Sequence, residues 1–197
     1  MPISAILFGG RRRTTVPLVT QAFNWEHGVF LGSIMASETT AAQQVAVGNL
    51  RFDPMAMLPF CGYNMGAYFG HWLEMRRYLT HLPRFFHVNW FRKDEAGKFV
   101  WPGYGDNMRV LKWMIDRLEG QAQGQETIFG ITPTYAELNW TGLNFSADQF
   151  KTVTSIDKAA WQQELQLHNT HFEQLAYNMP KALLDTKAAL AQRLAAV

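Results

Sequence analysis

A chain of 197 residues, 48% hydrophobic and 17% charged, is long enough for one well-buried domain and too short for two of ordinary size. That balance excludes a disordered chain, and no apolar run approaches the roughly 20 residues a membrane-spanning helix needs. A formal charge of +2 is too weak to call for nucleic acid or acidic lipid as a partner, and the single cysteine, Cys61, excludes a disulfide framework and a cysteine zinc site. The expected home is the reducing cytoplasm, since no basic stretch at the amino terminus leads into an apolar core with a small-residue cleavage site.

Ile3 to Phe8 reads as a buried strand closed by Gly9 and Gly10. A core strand at the third residue hints at one part of something larger; its pairing partners are expected outside this chain, leaving an apolar edge prone to association. Thr15 can cap a helix with Pro17 in its first turn, and the dense apolar groups from Val16 to Met35 predict a buried helical pair broken near Asn24 or Gly28. Residues 36–49 hold small and polar side chains with Glu38 as their one charge, and read either as a mobile loop or as a short alanine-rich helix. Asn64 to Leu79 carries Met65, Phe69, Trp72 and Met75 at helical spacing.

Phe85 to Phe91 and Lys98 to Trp101 are aromatic, β-prone runs joined by Arg92 to Gly97, the pattern of a hairpin. Asp106 or Asn107 caps the next helix, with Val110, Leu111, Met114, Ile115 and Leu118 on one face and Gly120 as its stop. Beyond a polar link from Gln121 to Gln125 and a turn-rich middle, Trp161, Leu165, His168, Phe172 and Leu175 mark a helix from about Asp157, which Pro180 separates from a last alanine-leucine helix. Residues 121–197 therefore read as mostly helical cladding.

Two constellations could carry chemistry. Gly9-Gly10-Arg11-Arg12-Arg13 places permanently charged forks directly after a turn that lets backbone approach a ligand, a corner suited to phosphate; a solvated basic turn is the other reading. Between Phe85 and Asn107, seven of 23 residues are aromatic, more than core filling needs, so some rings are free to stack on flat bases. Cross-strand pairing on a buried sheet is the commoner use of such rings. Gly103 to Asn107 adds close-approach backbone, one more ring and an amide able to read a base edge. His168 and His171, three apart on a helix, are rejected as a metal pair because no third ligand stands with them, and His27, His71 and His87 read as core or boundary histidines. No GxxxxGK[ST] run and no aspartate cluster for a divalent cation is present.

PISAILFGGRR, VPLV, MASE, DPMAMLPFCGYN, HWLEM and LPRFFHVNWFRKDEAGKFVWPGYGDNMRVLKWM together strongly resemble the carboxyl-terminal part of GTP-dependent phosphoenolpyruvate carboxykinase, near-continuously from Pro2 to about Gly120 and more thinly beyond. The resemblance implies an α/β fold, the carboxyl-terminal portion of the carboxykinase fold, with a mixed sheet, an aromatic hairpin and flanking helices. Residues 1–120 would hold the guanine pocket, the phosphate-contacting arginine and a lid. It also implies the conversion of oxaloacetate and GTP to phosphoenolpyruvate, GDP and CO2 by a cytoplasmic, monomeric enzyme using Mn2+ and Mg2+, with no part for nucleic acid or membrane.

Residue by residue, Arg11 matches the arginine that contacts the transferred phosphoryl group; Arg12 matches with no role assigned, and Arg13 stands where relatives often have proline. Phe91, Phe99 and Tyr104 match three rings enclosing guanine, Asn107 the residue reading its polar edge, and Trp90, Gly105 and Asp106 the pocket lining; many relatives have phenylalanine at the position of Tyr104. Thr39, Thr40, Ala41, Ala42, Gln43 and Gln44 fall in the segment matching the Ω-loop lid. The phosphate loop with its reactive cysteine, the metal-binding lysine, histidine and aspartate, and the oxaloacetate-binding arginines belong upstream of the matched segment. The resemblance therefore implies a missing amino-terminal part of the same enzyme, no metal ligands here, and no turnover by these residues alone. The alternative is a non-catalytic guanine-nucleotide-binding module.

Overall fold

In the computed structural model, which describes residues 2–40 and 49–196, five short strands form a mixed sheet. β1 (Ala5–Gly9) runs parallel to β5 (Arg84–Val88), with Ala5 opposite Arg84 and Gly9 opposite Val88. β2 (Val19–Gln21) lies antiparallel on the other side of β5, and β7 (Gly130–Thr132) and β6 (Gln125–Thr127) complete the order β1-β5-β2-β7-β6. Interior strand β5 reads RFFHV and is buried from Phe85 onward, as a strand covered on both faces must be. Because successive side chains point to opposite faces, Phe85 enters one core and Phe86 the other.

The Phe85 face is covered by α1 (Trp25–Ser33), α2 (Met65–Met75), α5 (Lys158–Glu173) and α6 (Lys181–Ala195), which contribute Trp25, Phe30, Phe69, Phe172, Leu183 and Leu190. The Phe86 face takes α3 (Asn107–Leu118) and α4 (Ala147–Thr154), through Val110, Trp113, Phe150 and Val153. A separate two-stranded ribbon, β3 (Ala36–Glu38) against β4 (Leu50–Phe52), runs antiparallel beside the end of β1. Among the described residues no helix is long and apolar enough to cross a membrane.

Several sequence expectations need correction. Between Val16 and Met35 there is one helix, not two: Val19-Thr20-Gln21 pairs with β5, and Asn24 caps α1 by accepting from the His27 amide. β-branched residues flanking β5 gain more from the ladder than from a helix turn. β1 is an edge strand with only Phe8 buried, and Leu7 is 43% exposed. The expected hairpin arms do not pair, because β5 is already flanked by β1 and β2. The chain instead turns back through a single bridge between Lys93 and Phe99, with Asp94 N donating to Lys98 O and Val100 N to Arg92 O.

The buried face of α3 is Val110, Trp113 and Met114, leaving Ile115 45% exposed. Neither Asp106 nor Asn107 caps α3 with its side chain; both are engaged elsewhere. The segment after Gln121 supplies two strands as well as helices. The helix expected over Asn64 to Leu79 is α2, which ends earlier, at Met75, and whose first turn the Asn64 side chain caps by accepting from Gly66 N at 2.7 Å; α5 and α6 flank Pro180.

Gly28 sets how closely α1 approaches the sheet, since a Cβ there would lie 1.9 Å from Phe85 Cδ2. Gly70, in α2, faces open space, with Pro180 Cγ at 3.9 Å as its nearest neighbour. Gly28→Ala is therefore expected to destabilise by about 1–3 kcal/mol through overpacking despite its better helix propensity. Gly70→Ala should stabilise by about 0.5–1 kcal/mol. Urea unfolding midpoints of the two variants check both signs.

Candidate functional site

The three consecutive arginines after β1 have three different fates. Arg12 is buried and makes a bidentate pair with Glu164 of α5, Nη1 to Oε1 at 2.8 Å and Nη2 to Oε2 at 2.5 Å. Arg13 is held by Glu38, whose carboxylate receives its backbone N–H at 2.7 Å and its Nε at 2.5 Å. Arg11 has no carboxylate partner among the described residues. Its backbone N–H donates to Ser37 Oγ at 3.1 Å and its Nη2 to the Glu38 carbonyl at 3.3 Å, while its Nε is shielded from solvent without an acceptor. An uncompensated guanidinium with a desolvated N–H is a strong attractor for an anion.

Gly10 is required for this arrangement: a Cβ there would sit 2.3 Å from the Ala36 carbonyl, so only glycine lets the β1 turn press against β3. The result is a cavity of about 220 Å³ lined by Gly9, Gly10, Arg11, Ser37, Val88, Trp90 and Phe91. Trp90 and Phe91 also line a second cavity, of about 380 Å³, together with Phe99, Trp101, Gly103, Tyr104 and Asn107. The cationic corner and the aromatic cleft thus adjoin through two shared residues. A larger cavity of about 480 Å³ opens between α5 and α6 and includes none of the candidate site residues.

Within the cleft, Phe91 and Phe99 stand edge to face, centroids 6.0 Å apart at 76°, and Lys93 Nζ lies 4.8 Å from the Phe99 centroid. Phe99 is 58% exposed and Tyr104 97%, two rings at the rim with faces available. Trp101 is buried, and its indole N–H donates to Asn107 Oδ1 at 2.8 Å. Indole is a donor only, so the atom facing it must be the amide oxygen. Asn107 is left presenting its NH2 group, a donor.

Gly105 and Asp106 line neither cavity. Asp106 pairs with Arg109 Nε at 2.8 Å, and Gly105 has open space above its Cα. Thr39 and Thr40 sit at the neck of the β3–β4 ribbon, where Thr39 N donates to the Asn49 carbonyl at 2.8 Å. Ala41, Ala42, Gln43 and Gln44 lie outside the described residues. Among the described residues no three His, Cys, Asp or Glu side chains converge to fit a metal ion. His168 and His171, which a polar helix surface would have exposed, are buried: His168 Nε2 meets Glu164 Oε1 at 3.3 Å, and His171 stacks on Phe52 at 4.3 Å. His71, by contrast, is exposed.

Sequence reasoning missed Asn89 and Glu164. Both are far in sequence from what they hold, Glu164 standing 152 positions from Arg12. An asparagine set among the apolar β-formers of 85–91 was the one available signal.

Residues 1–193 match the family model described as the phosphoenolpyruvate carboxykinase C-terminal P-loop domain. A GTP-type phosphoenolpyruvate carboxykinase from Anaeromyxobacter sp. (strain K) is 55% identical over 196 residues, covering 100% of this chain and 33% of that protein. Namesakes from Neocallimastix frontalis and Treponema pallidum (strain Nichols) are 50% and 48% identical over 199 and 198 residues. The chain spans about a third of the length of the curated relatives it matches.

Behind the corner, burial fixes protonation. Desolvation lowers His87 to about 4, helped by the nearby Arg12 charge, and lowers His27 to about 3, helped by Arg193. Burial also lowers His168 and His171. Burial alone would raise Glu164, but hydrogen bonds from His168 and Arg12 outweigh it and hold the carboxyl at about 2. Glu164 is ionised and the four histidines neutral at pH 7.

The unfolded chain takes up protons below about pH 6.5 that folded His27 and His87 refuse until near 3 and 4, so stability falls as pH drops through that window. The depressed Glu164 adds loss only below about 4.5. Between pH 7 and 5 the two histidines should remove on the order of 4 kcal/mol. Urea midpoints at the two pH values measure it, and an unchanged midpoint would refute the neutral-histidine assignment.

Proposed function

The chain belongs to the GTP-dependent phosphoenolpyruvate carboxykinase family, and on that premise we propose that it supplies the guanine-nucleotide side of the reaction converting oxaloacetate and GTP to phosphoenolpyruvate, GDP and CO2. The observation that carries this reading is the pair of adjoining cavities sharing Trp90 and Phe91, with Arg11 in one and the exposed rings in the other.

Guanine stacks among Phe91, Phe99 and Tyr104, each contact contributing about 1–3 kcal/mol whatever the base. Selectivity comes from Asn107. With its oxygen occupied by Trp101, the amide offers N–H to a base edge, which suits the 6-oxo group of guanine and opposes the 6-amino group of adenine. Trp90 walls the passage between the cavities, while Gly105 and Asp106 shape the rim, Asp106 by holding Arg109.

Arg11 contacts the transferred phosphoryl group. In a loose transition state charge spreads over the equatorial oxygens, and a preorganised guanidinium meets that charge without reorganising. Being unpaired at rest, Arg11 breaks no ion pair to do so. Thr39 and Thr40 begin the lid, with Ala41, Ala42, Gln43 and Gln44 following, which closes over the enolate and keeps water from protonating it. Since β3 hydrogen-bonds Arg11 and runs directly into the lid neck at Thr39, phosphate contact and lid stem share one support.

Phosphoryl transfer by this family implies Mn2+ and Mg2+, with ligands, phosphate loop and oxaloacetate-binding arginines on the amino-terminal part of the enzyme. The described residues do not fit a metal, and no step here runs through one. The 197 residues alone are expected to give no turnover with GTP, Mn2+ and oxaloacetate.

The test completes this chain with the upstream two thirds of the Anaeromyxobacter relative and assays phosphoenolpyruvate formation. Arg11→Ala should lower kcat by about 100-fold or more and weaken GTP binding by about tenfold, as expected for a group that already holds the phosphoryl group at rest and gains on it in the transition state. Phe91→Ala should weaken GDP binding by about 1–3 kcal/mol, read from tryptophan fluorescence. Unchanged GDP affinity in Phe91→Ala would remove the base pocket from this cleft.

A further inference from the structure

Asn89 is 1% exposed and lies between the two halves of the site. Its Oδ1 accepts from Arg12 N at 3.3 Å and from Phe91 N at 3.1 Å. Its Nδ2 donates to the carbonyls of Arg12 at 2.9 Å and Val16 at 2.8 Å. A primary amide has two acceptor sites and two donor hydrogens, and here all four are used. Its own backbone N–H donates to Leu18 O at 3.0 Å. One side chain therefore fixes both backbone polar groups of the residue after Arg11 and the amide of the residue whose ring walls the base cleft, across 77 positions of sequence.

We propose that Asn89 is a positioning residue that sets the spacing between Arg11 and the Phe91 ring, so that one nucleotide can engage both. This rests on the nucleotide reading of the two cavities. The physical argument is bivalency: base and phosphate contacts reinforce one another only when the distance between their subsites matches the ligand, and a misplacement of about 1 Å can cost two orders of magnitude. Other side chains do not reproduce the clamp. Aspartate would set a carboxylate against two carbonyl oxygens and supply no donors, glutamine is a methylene longer, and serine lacks the second arm. The Arg12 side chain, pinned to Glu164, holds the same segment from the α5 side, so the corner has a rigid support against which the amide can act.

The experiment uses the chain completed as above and measures guanosine and GTP affinities for the wild type, Asn89→Ala, the isosteric Asn89→Asp, Arg11→Ala, and each Asn89 variant combined with Arg11→Ala. If Asn89 sets the spacing, guanosine affinity in the Asn89 variants stays within about threefold of wild type while GTP affinity falls about tenfold or more. Arg11→Ala, costly in the wild-type background, should then cost less than about threefold in the Asn89 backgrounds, because the coupling has already gone.

A merely structural role predicts something different: guanosine and GTP affinities fall together and Arg11→Ala keeps its full effect, which would overturn the proposal. Asn89→Asp is decisive should Asn89→Ala fail to fold, and failure of both to fold assigns Asn89 to stability alone and also overturns it. If Phe91→Ala leaves guanosine binding untouched, the base-pocket reading fails and the clamp fails with it. If Phe91→Ala abolishes guanosine binding but the Asn89 variants keep the wild-type ratio of guanosine to GTP affinity, only the clamp is wrong.

Discussion

A guanidinium that leaves water needs acceptors for its N–H groups, and the buried Arg12–Glu164 pair supplies them, together with a compensating charge, through two parallel hydrogen bonds. Removing one member of such a pair leaves a charge stranded in the interior, typically at a cost of about 3–5 kcal/mol. The pair joins the turn after the first strand to a helix near the end of the chain, and so determines where that turn sits. It also divides labour among the arginines. With Arg12 tied inward and Arg13 clipped to Glu38, the charge left over belongs to Arg11, and it is directed into a cavity that continues into the aromatic cleft.

The same network bears on the buried histidines that surround the corner. His87 and His168 lie within the electrostatic reach of Arg12 and Glu164. Burial keeps both uncharged, so the negative charge of Glu164 is matched chiefly by the positive charge of Arg12. A protonated His168 would compete for Glu164 and loosen the grip on Arg12. Neutrality of the histidines is thus a condition for the geometry of the corner, an arrangement of charge rather than of catalysis.

The parts of the candidate site that line the two cavities are mostly local in sequence, so they are legible there. The glycine pair before Arg11, the rings at 91, 99 and 104 and the amide at 107 lie in two short stretches, and the helix begun by Asn64 announces itself by spacing. What could not be read was long-range. Nothing in Arg11-Arg12-Arg13 says which arginine finds Glu164 across 152 positions. The strand at Val19 was hidden because an apolar run flanked by a helix carries no period of its own, and only β5 beside it decides the matter. The aromatic run at 85–91 was misread as a hairpin arm for a related reason: its strand character is real, but its partners come from elsewhere in the chain. The exposure of Ile115 and the burial of Trp113 on α3 depend on which side of the sheet the helix lands, a tertiary fact.

Gly103 and Tyr104 follow one another with φ of 76° and 47°. Glycine adopts this handedness freely, whereas a residue bearing a Cβ gives up roughly 1–2 kcal/mol. The aromatic group at the rim is thereby carried on a backbone that discourages side chains altogether. Substitution here is filtered by chirality before size or polarity enters. β-branched residues are disfavoured by their own crowding, asparagine and glycine fit the curvature but bring no π-surface, and a ring on a single methylene reconciles the two demands. The ring is thus held at the rim against the preference of its own main chain, a conformation that by itself narrows what else the position can carry.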